Sequence, residues 1–207
     1  MLKELIESSF YVTFPPKDNL VIQVDESQHS GRFSLRDPLA CEQCERCQQD
    51  SKEQVNLWVS SENTVFSVRV SQIFDRVNNN LGEVCDYLIA DDNKFLAIEM
   101  TCSESKYVGS SFGKRSKAQQ QLYNTLEILF TNPVIRSSIG KRSVKKAIFS
   151  WKNTSNLNSI GDEAERGFSV FTDFSDSTYS PNNEQKFDFG FTFREIRYPD
   201  VLDWDSL

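Results

Sequence analysis

The sequence predicts an α/β fold, a mixed central β-sheet flanked by helices, and three observations carry that expectation. Val84–Ala90 and Phe95–Cys102 are β-rich runs joined by Asp91-Asp92-Asn93-Lys94, with apolar residues on both faces, which places the pair in the interior of a sheet. Ala118, Leu122, Leu126 and Leu129 then recur at helical spacing. Lys145–Trp151 (KKAIFSW) follows as a further strand, so strand and helix alternate along the middle of the chain.

Composition fits that class. Of 207 residues, 38% are hydrophobic and 26% charged, enough apolar material for a core. Aromatics reach 12%, including 16 Phe, which excludes a disordered chain. No apolar run approaches the roughly 20 residues that span a bilayer, so no membrane partner is expected. MLKELIESSF lacks the apolar stretch of a secretory signal. Five Cys, an odd number, then read as reduced thiols or ligands, and the expected location is cytoplasmic. With no internal repeat and no long linker, residues 1–207 are expected to form a single domain.

The remaining elements follow in order. Leu2, Leu5 and Ile6 share one face of a short helix over Met1–Ser9. Phe10–Phe14 reads as a strand stopped by Pro15-Pro16, and Leu20–Val24 as another. Residues 26–54 are polar, with Gly31, Pro38 and three Cys, and read as an inserted Cys-containing loop. Val55–Ser60 and Val65–Val70 are strand candidates, although the apolar spacing over Val65–Val77 also suits a helix. Pro133 stops the central helix. Phe168–Phe174 and Phe187–Tyr198 alternate Phe with polar residues, as two late strands or a long hairpin. Residues 200–207 are acidic and read as a short helix or a tail.

Charge is unevenly spread. Residues 106–152 hold ten bases and one acid, a net +9; against a total of −7, the remainder carries −16. Such asymmetry points to nucleic-acid contact, or to a solvated basic face balanced by an acidic one.

The chemistry centres on the hairpin. If Asp92-Asn93 is a two-residue turn, Leu88 lies opposite Ala97 and Asp86 lies opposite Glu99 on the same face. Two opposed carboxylates repel unless a cation lies between them or one holds a proton. Mg²⁺ or Mn²⁺ suits such oxygen ligands and would also bind substrate phosphates. A one-residue slip in register would send the two side chains to opposite faces.

CDYLIADDNKFLAIEMT resembles the core hairpin of the PD-(D/E)xK nuclease superfamily, with Asp86 and Glu99 at the acidic positions and Thr101 where the family has lysine. Gln119-Gln-Gln-Leu-Tyr123 is similar to the Q-x-x-x-Y helix motif of its RecB-like members. Gly82 stands four residues before Asp86, one more than in their Gly-x-x-Asp. The resemblance covers about fifty residues. It implies a restriction-endonuclease-like αβββαβ core with extra strands, and divalent-metal phosphodiester hydrolysis with Gln119 and Tyr123 in the catalytic set. The family's lysine orients the attacking water and offsets developing charge. Lys117, Lys114 and Lys106 are candidates to replace it, Lys117 first, because it precedes Gln119 on the covering helix.

Cys41, Cys44 and Cys47 have metal-ligand spacing. They suit Zn²⁺ with His29 as fourth ligand, or an iron–sulfur cluster if Cys85 or Cys102 joins them. Ordinary free thiols are the alternative. No Gly-rich phosphate loop, Gly-x-Ser-x-Gly or H-E-x-x-H motif occurs.

Two functions are therefore expected to compete. One is a metal-dependent nuclease acting on nucleic acid, DNA ahead of RNA, in restriction, repair or anti-phage defence, alone or in a multi-protein assembly. The other is a catalytically degraded nuclease fold serving as a binding subunit for nucleic acid or protein.

Overall fold

The computed structural model describes residues 2–17, 23–36, 57–103, 113–153 and 184–207. Leu2, Ile6 and Phe10, four apart, are buried along one side of a helical run, α1, over residues 2–13. The run takes a π turn at Ile6–Phe10. The strand expected at Phe10–Phe14 is thus helical to Thr13. Phe10 is fully buried and packs on Phe14 and Phe74, with centroids 5.0 and 4.8 Å away, so tertiary contact overrides the β preference of the aromatic run.

A second correction concerns the expected loop. Residues 26–35 form strand β1, Glu26–Leu35, paired antiparallel with β2, Leu57–Arg69. Its polarity has a different cause: β1 is the edge of the sheet, where polar side chains are exposed and discourage further pairing. β2 unites the two strands expected at 55–60 and 65–70, with a register irregularity between His29 and Gly31 opposite its polar centre. A short helix, α2, Ser71–Phe74, follows.

β3, Tyr87–Ala90, and β4, Lys94–Ser103, form the expected hairpin. Asp91 Oδ1 accepts the N–H groups of Asn93 and Lys94, both at 2.7 Å, and closes the turn around Asp92-Asn93. Helix α3, Lys114–Thr131, buries Ala118, Leu122, Leu126 and Leu129 against the sheet. Pro133 both ends α3 and opens α4, Pro133–Gly140, where Asn132 Oδ1 caps the Val134 and Ile135 amides. Asn132 Nδ2 meanwhile donates to Ser9 O and Thr13 Oγ1, tying α4 to α1.

β5, Val144–Asn153, returns parallel to β4. Beyond it lie β6, Glu184–Lys186, a 3₁₀ turn at Asp188–Gly190 and β7, Thr192–Arg197, parallel to β5. The run expected as one strand over Phe187–Tyr198 is therefore broken at Phe189, where φ is +60°. The last residues are neither helix nor tail. Val201–Asp203 is strand β8, parallel to β2, and Trp204 is fully buried.

The eight strands run β1-β2-β3-β4-β5-β7-β6, with β8 beside β2. The order of helix, three antiparallel strands, helix and parallel strand is present as α1, β2–β4, α3 and β5, with β1 and β6–β8 additional. One face of the sheet carries the larger core under α1, α3 and α4. The other buries Leu35, Val59, Ile89, Ile98 and Ile196 with Leu202 and Trp204. Among the described residues no helix is long and apolar enough to cross a membrane. Cys41, Cys44, Cys47, Lys106, the run Phe168–Phe174 and most of Leu20–Val24 lie outside the described residues.

Candidate functional site

Pairing of Tyr87 with Ile98 and Leu88 with Ala97 fixes the hairpin register. Phe95 and Ala97 face the core under α3, as do Leu88 and Ala90. By alternation Glu99, within β4, belongs to that same face, while Asp86 stands just outside β3, next to the Tyr87–Ile98 pair. Glu99 is 7% exposed and Asp86 half-buried.

Asp86 stands just before β3 and is held on both sides. Its N–H donates to Ile98 O at 3.0 Å, and its carbonyl accepts from Val70 N–H at 2.9 Å. Its Oδ2 accepts the Met100 N–H at 2.7 Å, so the side chain continues the ladder that its own backbone leaves.

The segment before Asp86 is gripped by one stripe of α3. Thr125 Oγ1 accepts the Cys85 N–H at 2.8 Å, and Gln121 Nε2 donates to Val84 O at 3.3 Å. Asn124 Nδ2 donates to Glu83 O at 3.2 Å, and Lys117 Nζ meets Glu83 Oε1 at 3.0 Å. Burial pushes the Cys85 thiol well above its usual range, and the charges of Glu99 and Asp86 push it further, against a lowering hydrogen bond to Thr125. Burial is the main cause, and a buried thiol raised in this way stays protonated and is a poor nucleophile.

The other expected residues are dispersed. Lys117 is engaged with Glu83, both side chains more than half exposed. Tyr123 donates to Glu127 Oε1 at 3.2 Å and meets the Phe189 ring at a tilt, centroids 5.5 Å apart; the Glu127 carboxylate raises its phenol pKa. Gln119 lies between Arg115 and Tyr123 on one helical stripe, so Gln121, not Gln119, contacts the segment leading to Asp86. Thr101 shares the face of Glu99 and is half-buried. Lys114 is exposed at the start of α3. His29 bonds to Ser67 Oγ at 2.8 Å and stacks on Phe33. Several bases of the segment are engaged: Lys146 pairs with Glu184, Arg115 with Glu195, and Lys152 lies over the Tyr198 ring.

A second carboxylate system was not anticipated. Glu99 pairs with Phe149, and Phe149 with Glu195, in one row across β4, β5 and β7. Glu195 Oε1 accepts from Trp151 Nε1 and its Oε2 from Arg115 Nε, both at 2.7 Å. Two strand spacings separate Glu195 from Glu99 by about 9–10 Å, too far to share a cation. The sequence did carry a signal. Phe191, Phe193 and Glu195 alternate, so a carboxylate occupies a core-facing position, as Glu99 does after Phe95 and Ala97.

Among the described residues no group of three or more His, Cys, Asp or Glu could hold a metal ion. The donors at the hairpin are two hard carboxylates, which fit a divalent cation that keeps several waters and completes its shell with substrate oxygens. No family model, curated protein or solved structure matches this chain.

Proposed function

We propose that the chain is a divalent-metal-dependent nuclease of the PD-(D/E)xK type. The observation that supports this reading is that Asp86, bonded to Ile98 and Met100 of β4, adjoins the strand that carries Glu99 in a hairpin whose register the two-residue turn sets. Asp86 and Glu99 would hold Mg²⁺ or Mn²⁺ with a substrate phosphate. The cation when bound lowers the pKa of water and polarises the phosphoryl oxygen. α3 holds the two residues before Asp86, Cys85 through Thr125 and Val84 through Gln121, which limits the reorganisation that the carboxylates need. Lys117 supplies the positive charge that Thr101 lacks. Its exposed pair with Glu83 is worth at most about 1 kcal/mol, so a substrate phosphate can draw it away.

The test is cleavage of plasmid, single-stranded DNA and RNA in Mg²⁺ and in Mn²⁺. Activity lost in Glu99→Gln and reduced on the order of 10²–10³ in Lys117→Ala supports the reading. Wild-type protein that cuts nothing in either metal overturns it.

One observation favours a second reading. Thr101 puts an uncharged hydroxyl on the face of Glu99, which suits a nuclease fold retained for binding. Cleavage gained in Thr101→Lys by an otherwise inactive protein would mark that course. Roles in restriction, repair or defence, and a preference for DNA, belong to the same proposal and rest on the resemblance alone.

A further inference from the structure

β4, β5 and β7 are parallel, and Arg115 in the first turn of α3 bonds to Glu195 in the second half of β7. Their carboxyl ends therefore share one edge of the sheet with the first turn of α3, the position at which open α/β sheets take ligands. At that edge Trp151, Glu195 and Arg115 form a chain of hydrogen bonds across three elements.

The chain is more elaborate than an ion pair requires. Glu195 is only 11% exposed, and a desolvated Arg–Glu pair is weak support for stability. Here both carboxylate oxygens are fixed, one of them by a rigid indole, so the guanidinium on the other is aimed. Arg115 spends Nε on Glu195. Among the described residues its Nη groups meet no other acceptor, and 28% of its side chain is exposed. Arg197 lies over the Trp151 ring, 4.7 Å from its centroid, and helps fix the indole. Lys114, Arg115 and Lys117 occupy the first turn of α3 without an acid among them, against the helix dipole. An arriving anion would relieve that arrangement.

We propose that Arg115, oriented by Glu195 and Trp151, binds a backbone phosphate of a nucleic-acid strand laid across the carboxyl ends of β4, β5 and β7. This rests on the nuclease-fold reading for the identity of the ligand, but not on the metal. Arg115 is the binding residue; Glu195 and Trp151 are positioning residues. A planar guanidinium with its Nε anchored presents its remaining N–H groups to a phosphate in fixed geometry.

The experiment is fluorescence anisotropy with short labelled DNA, single-stranded and duplex, titrated in EDTA over a series of KCl concentrations. Arg115→Ala should weaken binding on the order of tenfold at 0.1 M salt and reduce the log–log salt slope by about 0.7 for the single strand or 0.9 for the duplex. Arg115→Lys should keep the slope and lose part of the affinity. Glu195→Gln is the discriminating variant. Removing a negative charge tightens binding if charge alone matters, whereas loss of orientation weakens it. Trp151→Phe changes no charge and should weaken binding likewise. Melting curves accompany each variant, and should Arg115→Ala fail to fold, Arg115→Lys and Trp151→Phe carry the comparison. An unchanged slope in Arg115→Ala, tighter binding by Glu195→Gln, or no binding by the wild type overturns the proposal. Because no divalent metal is present, failure of the protein to cleave leaves this proposal standing. An unchanged slope removes it and leaves the metal reading as it was.

Discussion

Met100 gives its N–H to the carboxylate proposed to hold a cation, so the two duties of Asp86 can be separated. Asp86→Asn keeps an acceptor for Met100 and removes the charge; stability should hold while Mn²⁺ affinity falls. Asp86→Ala removes both, and the stranded amide should cost about 1–3 kcal/mol in urea unfolding. Equal stability of the two variants would contradict the structural duty. His29, the sole histidine, offers a pH test. Burial lowers its pKa below 6.5, so the unfolded chain takes up the proton first. Its contribution to stability is then complete above pH 6.5 and lost as pH falls through the folded pKa. The His29 Cε1–H resonance should titrate below 6.5; a midpoint at or above that value refutes the desolvation argument. At this scale the pairing of Tyr87 with Ile98 and Leu88 with Ala97 was legible because a two-residue turn leaves one register. Arg115 and Glu195 were not, because a parallel pair is aligned by a long crossover and no local residue records its register.

The stripe Lys117, Gln121, Asn124 and Thr125 makes α3 the element that sets where Asp86 stands. Its members should differ sharply on substitution. Thr125→Val leaves the buried Cys85 amide without an acceptor and should cost about 1–3 kcal/mol. Lys117→Ala breaks an exposed pair and should cost less than about 1 kcal/mol. Amide exchange at Cys85 should accelerate in the first variant and stay unchanged in the second. The helix itself was readable from Ala118, Leu122, Leu126 and Leu129, which face the sheet at one spacing. α4 was not, because Pro133 serves equally as a stop and as a first helical residue. Nor was β1: an edge strand needs no apolar face, so its composition is that of a loop.

Across the whole molecule, β8 and Trp204 close the sheet face turned away from α3. Trp204 Nε1 donates to Asp91 Oδ2 at 2.6 Å, its N–H bonds to Ser60 O, and its carbonyl receives Lys94 Nζ. Asp91 thereby joins the hairpin turn to a residue 113 positions away. Trp204→Ala should cost about 3–5 kcal/mol by thermal or urea unfolding. A loss below about 1 kcal/mol would mean that the second core is sealed by something else. The closing strand has a consequence for the order in which the chain assembles. The hairpin is local and can form within about 1–10 μs of being available. The Glu62 amide waits for Asp205, 143 positions on. At about 5–20 residues per second of synthesis, that partner arrives roughly 7–30 s later. For the part of that interval after Ile98 has been made, Val59, Ile89 and Ile98 stand on a half-built sheet without their cover, so a nascent chain at this stage presents a sticky apolar surface to its neighbours and to chaperones.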